Sequence, residues 1–251
     1  MLGDLAHHNK DRADILHITS WDADHCTYND LVQILNHLRP NLIQIPPYNT
    51  ESKDGILCRN LILAYDEIHQ KYVHNVQIVT EDFVNKLENG TANGTNDIVY
   101  HSLYGCNNKN DMSLIRLFRS RGFNVLSLGD CESASIATNL MRRSFIQSEV
   151  DVLILAHHGA ANGFTTEDFL KIVKPKIAVC SSNHGNMYDH PKQEIRQLLY
   201  DNDVRLMTTK TGDVIIYQPQ GFDYATAVNL ISDNEIESSR FGFYPKRNEN
   251  N

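Results

Sequence analysis

The sequence predicts an α/β fold with sheets covered by helices, and three observations predict it. Short β-branched runs alternate with amphipathic segments over most of the chain. No internal repeat and no linker interrupts that alternation. The 251 residues, 41% hydrophobic and 22% charged, suffice for a real core. On this reading one domain covers residues 1–220, and residues 221–251 form a partly disordered C-terminal extension.

Each element follows from its local pattern. DILHIT (14–19) reads as a strand. YNDLVQILNHLRP (28–40) then places Leu31, Ile34, Leu35 and Leu38 on one helical face, with Thr27 or Asn29 as N-cap and Pro40 as terminator. NLIQIPPY (41–48) is a strand stopped by two prolines, 54–72 a helix, and NVQIVT (75–80) a strand. A short helix over 81–90 closes at Gly90, before a Gly/Asn/Thr-rich loop. Residues 97–105 and 113–118 read as paired strands around CNNKND, and 123–130 as another strand. Residues 131–145 are helical, 150–159 a strand, 165–175 a helix and 176–182 a strand. The helix over 190–202 carries Pro191 near its first turn. Residues 204–218 read as a hairpin turning through Lys210–Asp213, and beyond Pro219 the signal weakens.

Composition excludes several classes of protein. A net charge of −8 argues against a surface that coats nucleic acid non-specifically, although bound metal can supply positive charge locally. Five cysteines, widely spaced and without a C-x-x-C pair, are neither a disulfide framework nor a zinc knuckle. No apolar run has membrane-spanning length, and the first residues lack the apolar core of a signal peptide. A cytoplasmic protein without membrane contact is expected.

Chemistry concentrates at the ends of strands. LHIT leads into Asp22, Asp24 and His25; VLSL into Asp130; VLILA into His157 and His158; and AVCSS towards His190. Oxygen and imidazole donors arriving from four strands suit one or two divalent ions, Zn²⁺ or Mn²⁺. Taken singly, Asp130 reads as a helix cap and His190 as a solvated helix start; His101 and His184 read as structural or exposed. Two adjacent imidazoles at the end of an apolar strand are costly to bury without a partner.

In this order, SWDADH, NDMSLIRLF with NVLSLGD, LILAHHGA and PKIAVCSSNHGNMYDHP resemble the motifs of metallo-β-lactamase-fold proteins. Within that superfamily they resemble the C-terminal hydrolase-like domain of the ComEC family of DNA-uptake competence proteins. The resemblance runs from about residue 14 to 218 and implies an αββα sandwich. It further implies metal ligation by Asp22, Asp24, His25 and Asp130, with imidazole from His190 or from His157 or His158. Asp24 or a neighbouring acid would orient the water, and His157 or His158 would donate a proton to the leaving group or clamp the oxyanion. Two departures stand out: Ser20 replaces the motif's first histidine, with only His101 as a distant substitute, and the strands that usually precede the metal loop are missing. An exposed sheet edge near the N-terminus, open to a second copy or a partner chain, is therefore expected.

The resemblance implies a metal-dependent hydrolase of phosphodiester bonds in nucleic acid or a nucleotide. Lys53, Asn183, Asn186 and Tyr188 lie on the loops best placed to touch substrate. Two other readings remain: a degenerate member that binds without turnover, which Ser20 favours, and an acyl hydrolase of lactams or thioesters.

Overall fold

The computed structural model describes residues 12–69, 75–88, 98–100, 108–231 and 236–248. His101, Gly90 and the tail 249–251, all of which enter the sequence reading, lie outside the described residues. The chain divides into two compact units, Met1–Gly94 with His101–Leu114, and Thr95–Tyr100 with Ile115–Asn251. Strands and helices alternate in both, so the chain is α/β.

The first unit runs β1 (Ile15–His17), α1 (Tyr28–Leu38), β2 (Leu42–Ile45), α2 (Lys53–His69), β3 (Asn75–Ile78) and α3 (Glu81–Glu88). The strands form a parallel sheet in the order β1-β2-β3, in register at Ile15–Leu42 and Leu42–Asn75. Helical crossovers account for the parallel pairing. Thr27 caps α1 by accepting a hydrogen bond from the Asp30 backbone N–H, and Arg39 ends the helix in the left-handed region, just before Pro40. Leu31 and Leu35 of α1 pack with Ile43, Ile45, Cys58, Ile62 and Trp21. Trp21 is fully buried although it sits among polar neighbours. β1 is an edge strand of this sheet.

In the second unit six strands form one mixed sheet in sequence order. They are β4 (Ile98–Tyr100), β5 (Ile115–Phe118), β6 (Val125–Ser127), β7 (Val152–Ile154), β8 (Ile177–Cys180) and β9 (Arg205–Thr208). β4–β5 and β5–β6 pair antiparallel, while β6 to β9 run parallel. The parallel crossovers carry α4 (Ala134–Met141), α5 (Ser144–Glu149), α6 (Glu167–Val173) and α7 (Gln193–Asp201). Alternation along the strands gives the sheet two buried faces. Leu153 and Ala178 join the helical core with Ile136, Leu140, Phe169 and Leu199. Their neighbours Val152 and Ile177 pack instead against Ala225, Ala227 and Phe243 of a second sheet.

That second sheet corrects one expectation. Residues 204–218 are not a hairpin: β9 belongs to the six-stranded sheet, whereas β10 (Val214–Tyr217) pairs with β11 (Ala225–Ile231). β11 in turn pairs with β12 (Ile236–Phe243), so the two longest strands lie beyond Pro219, where the sequence signal is weak. The expected single helix over 131–145 is likewise two, α4 and α5, broken at Arg142 and Arg143.

Behind β12 the chain is fastened to the larger sheet. Lys246 is buried; its backbone N–H donates to Asp151 Oδ1 at 2.8 Å, and its ammonium donates to the carbonyls of Gln147 and Val173. Asp151 Oδ2 also accepts from the Asn124 backbone N–H at 2.8 Å. Among the described residues no helix is long and apolar enough to cross a membrane. Among the described residues Cys26, Cys58, Cys131 and Cys180 are free and buried.

Candidate metal centre

In the first unit the loop after β1 is organised from its buried side. Ser20 is fully buried; its hydroxyl donates to Asp22 Oδ2 at 3.2 Å and shares a 3.0 Å hydrogen bond with Tyr48 OH. Tyr48 OH also accepts from the Trp21 backbone N–H, and Tyr48 O accepts from Trp21 Nε1, both at 3.2 Å. Buried Trp21 is thus satisfied at its one polar atom and pins the loop. The Asp22 carbonyl accepts from the backbone N–H groups of His25 and Cys26, closing a turn that leaves Asp24 exposed. Thr19 Oγ1 and His25 Nδ1 share a 2.8 Å hydrogen bond that orients the ring. Asp24 and His25 each offer a ligand atom within 4.8 Å of the other. Asp22, expected as a third ligand, accepts a hydrogen bond from Ser20 at its Oδ2.

In the second unit four parallel strands deliver their following loops to one sheet margin. After β6, Gly129 turns with φ +56° and Asp130 follows, buried. After β7, His157 and His158 adopt left-handed backbone angles, φ +45° and +54°, ahead of Gly159 at φ +83°. Two adjacent left-handed non-glycine residues cost roughly 1–2 kcal/mol each. Such strain persists where the surroundings impose it, and it collects at functional sites. Here the His157 backbone N–H is tied to Gly129 O at 2.9 Å, and Lys192 N donates to Gly159 O at 3.0 Å.

This backbone brings the side chains together. His158 Nδ1 donates to the Ser181 carbonyl at 2.6 Å, which makes Nε2 the unprotonated nitrogen of a neutral ring, and Nε2 lies 3.6 Å from Asp130 Oδ1. Two donors on one zinc ion, each about 2 Å from it, stand roughly 3 to 4 Å apart, so this pair fits a metal. The rings of His157 and His190 are 5.8 Å apart, and those of His158 and His190 6.4 Å. His190 is buried rather than solvated, and its Nδ1 has no hydrogen-bond partner among the described residues. Burial, and after it the neighbouring His157 and His158 rings, hold its imidazole below the ordinary histidine value. The chain therefore carries His/Asp groups that could hold a metal ion.

Glu132 was missed in the sequence. Its Oε1 lies 2.6 Å from His157 Nδ1, and the only signal was an acid two residues after Asp130. Of the expected substrate residues, Asn183, Asn186 and Tyr188 share the loop after β8, whereas Lys53 is exposed at the start of α2 in the other unit. Asn186 braces the loop: its Oδ1 accepts from His190 N at 2.8 Å and its Nδ2 donates to Asn183 O at 2.9 Å. Tyr188 is 65% exposed and stacks on His190 with centroids 5.8 Å apart.

No protein-family model matches the chain. Over 110 residues it is 32% identical to ComE operon protein 3 of Bacillus subtilis (strain 168). That stretch is 44% of this chain and 14% of the relative's length.

Proposed function

We propose that the protein is a metal-dependent hydrolase of the metallo-β-lactamase fold, an αββα sandwich, that acts on phosphodiester bonds in nucleic acid or a nucleotide. The observation that carries this reading is His158, held through Nδ1 so that Nε2 faces buried Asp130 at 3.6 Å. The similarity to ComE operon protein 3 supports placing the chain with the competence branch that its motifs resemble. In the second unit Asp130 and His158, with His190 beside them, would hold Zn²⁺ or Mn²⁺; in the first unit Asp24 and His25 offer a ligand pair of their own. When bound, a divalent ion neutralises charge that develops on the phosphoryl oxygens. Asp24, exposed beside His25, orients the attacking water. His157, backed by Glu132, holds a proton for the leaving-group oxygen. The chain works in the cytoplasm on this reading, and edge strand β1 is open to a second copy or a partner.

Elemental analysis together with hydrolysis of bis-p-nitrophenyl phosphate tests the proposal. About one ion per chain is expected, with turnover lost on chelation and restored by Zn²⁺ or Mn²⁺. Activity confined to thioesters would move the assignment to acyl transfer.

A second reading has its own observation. Ser20 stands where the motif has its first histidine, and its hydroxyl is committed to Asp22 and Tyr48. A chain that takes up no metal after reconstitution would be a binding module on the same fold.

A further inference from the structure

Lys210 has no role in the reading above, yet its position is built. It follows β9, whose C-terminal end shares the sheet margin where Asp130, His157, His158 and the 181–190 loop follow β6, β7 and β8. Its backbone is fixed there by the preceding residue. Thr209 N donates to Cys180 O at 3.1 Å, while Thr209 Oγ1 accepts from Ser182 N at 2.9 Å and donates to Ser182 O at 3.0 Å. Lys210 N itself donates to Thr208 Oγ1 at 3.1 Å. These bonds bracket Ser181, whose carbonyl holds His158.

The side chain is only 21% exposed, low for a residue type that usually lies in solvent. Its one ion-pair partner among the described residues is Asp189, the neighbour of His190, at 3.8 Å. That distance is too long for a hydrogen bond, and Asp189 is 72% exposed, so the pair is weak and leaves the ammonium donors uncommitted. The Lys210 charge also reaches Cys180, drawing down a thiol that burial pushes up. Cys180 Sγ in turn donates to His158 O at 3.0 Å. In a chain of net charge −8, a shielded lysine at the same sheet margin as His157 and His158 is not part of a general basic surface. An ammonium head of this kind is a point charge suited to a phosphate oxygen.

We propose that Lys210 binds the phosphoryl group of the substrate and so selects a phosphodiester anion over a neutral acyl compound. The proposal rests on the phosphodiesterase reading and is tested apart from it. Binding of inorganic phosphate to the full chain is measured by calorimetry for wild type, Lys210→Met, Lys210→Arg and Asp189→Asn, with metal content and melting temperature recorded for each. Lys210→Met should weaken phosphate binding about tenfold with metal content unchanged. Lys210→Arg should keep most of the affinity, and Asp189→Asn should bind phosphate as well as wild type or better. If Lys210→Met binds phosphate as wild type does, or if Asp189→Asn weakens it equally, Lys210 is only a partner of Asp189 and the proposal fails. Wild-type protein that binds no phosphate also overturns it. A chain that binds phosphate through Lys210 without hydrolysing bis-p-nitrophenyl phosphate would refute the enzyme reading and leave this one standing.

Discussion

His158 Nδ1 meets the carbonyl oxygen of Ser181 at 2.6 Å, joining the turn after β7 to the loop after β8. The bond selects the tautomer that presents Nε2 to Asp130, as the outer partner of a ligating histidine does. His158→Ala, Asp130→Ala and Asp24→Ala should each lower the affinity for Zn²⁺ or Mn²⁺ by at least about tenfold, read by metal titration after chelation. Unchanged affinity in Asp24→Ala and Asp130→Ala would show that the ligands are misassigned.

Gly159 cannot gain a side chain without moving its neighbours. A Cβ there would sit 2.7 Å from Pro191 Cβ and 3.1 Å from Pro191 Cα, at a backbone φ of +83°. Gly159→Ala should therefore lose at least about 1–2 kcal/mol of stability from the left-handed backbone alone, measured by urea unfolding. An alanine variant as stable as wild type would mean the turn after β7 is free to rearrange.

Restoring the motif histidine should not restore the motif. Ser20 is fully buried, with its hydroxyl 3.0 Å from Tyr48 OH. An imidazole would displace Tyr48, so Ser20→His should cost about 1–3 kcal/mol and add no second ion. A gain of one metal per chain at unchanged stability would contradict this.

Asp151 predicts a pH dependence of known sign. Burial pushes its carboxyl above the ordinary aspartate value, against the pull of the Lys246 and Asn124 backbone N–H groups. A carboxyl raised in the fold contributes fully below its unfolded value, about 4, and the contribution falls as pH rises through the folded value. Asp151→Asn, which mismatches one of the two N–H donors, should cost about 1–3 kcal/mol at acidic pH. The gap from wild type should narrow towards neutrality, as urea melts at pH values near 4.5 and 7 would show.

The sequence was legible where apolar periodicity is strong. The strands before Asp22, Asp130, His157 and His190 all declare themselves, and so does the α1 face with its Thr27 cap. It was illegible where a contact is set by the tertiary fold. Trp21 and Ser20 sit in a polar string, and only Tyr48, 27 and 28 residues away, makes their burial affordable. β11 begins with Ala225, Thr226 and Ala227, small residues whose place is a close approach to the larger sheet rather than a hydrophobic run. β12 is mostly exposed and carries Glu237, Ser238, Ser239 and Arg240 in a row, so strand propensity gives little warning of it. Glu132 carries no periodic signal, because its meaning lies wholly in its distance from His157.

Lys246 reaches back across 95 residues to Asp151, 99 to Gln147 and 73 to Val173. As the chain leaves the ribosome, the strand and helices that Lys246 ties together emerge long before it does. Until then the carbonyls of Gln147 and Val173 and one oxygen of Asp151 wait for their partner. Folding of the second unit is thus completed from its C-terminal end, and a stalled or clipped chain that stops short of this lysine lacks its closing bonds.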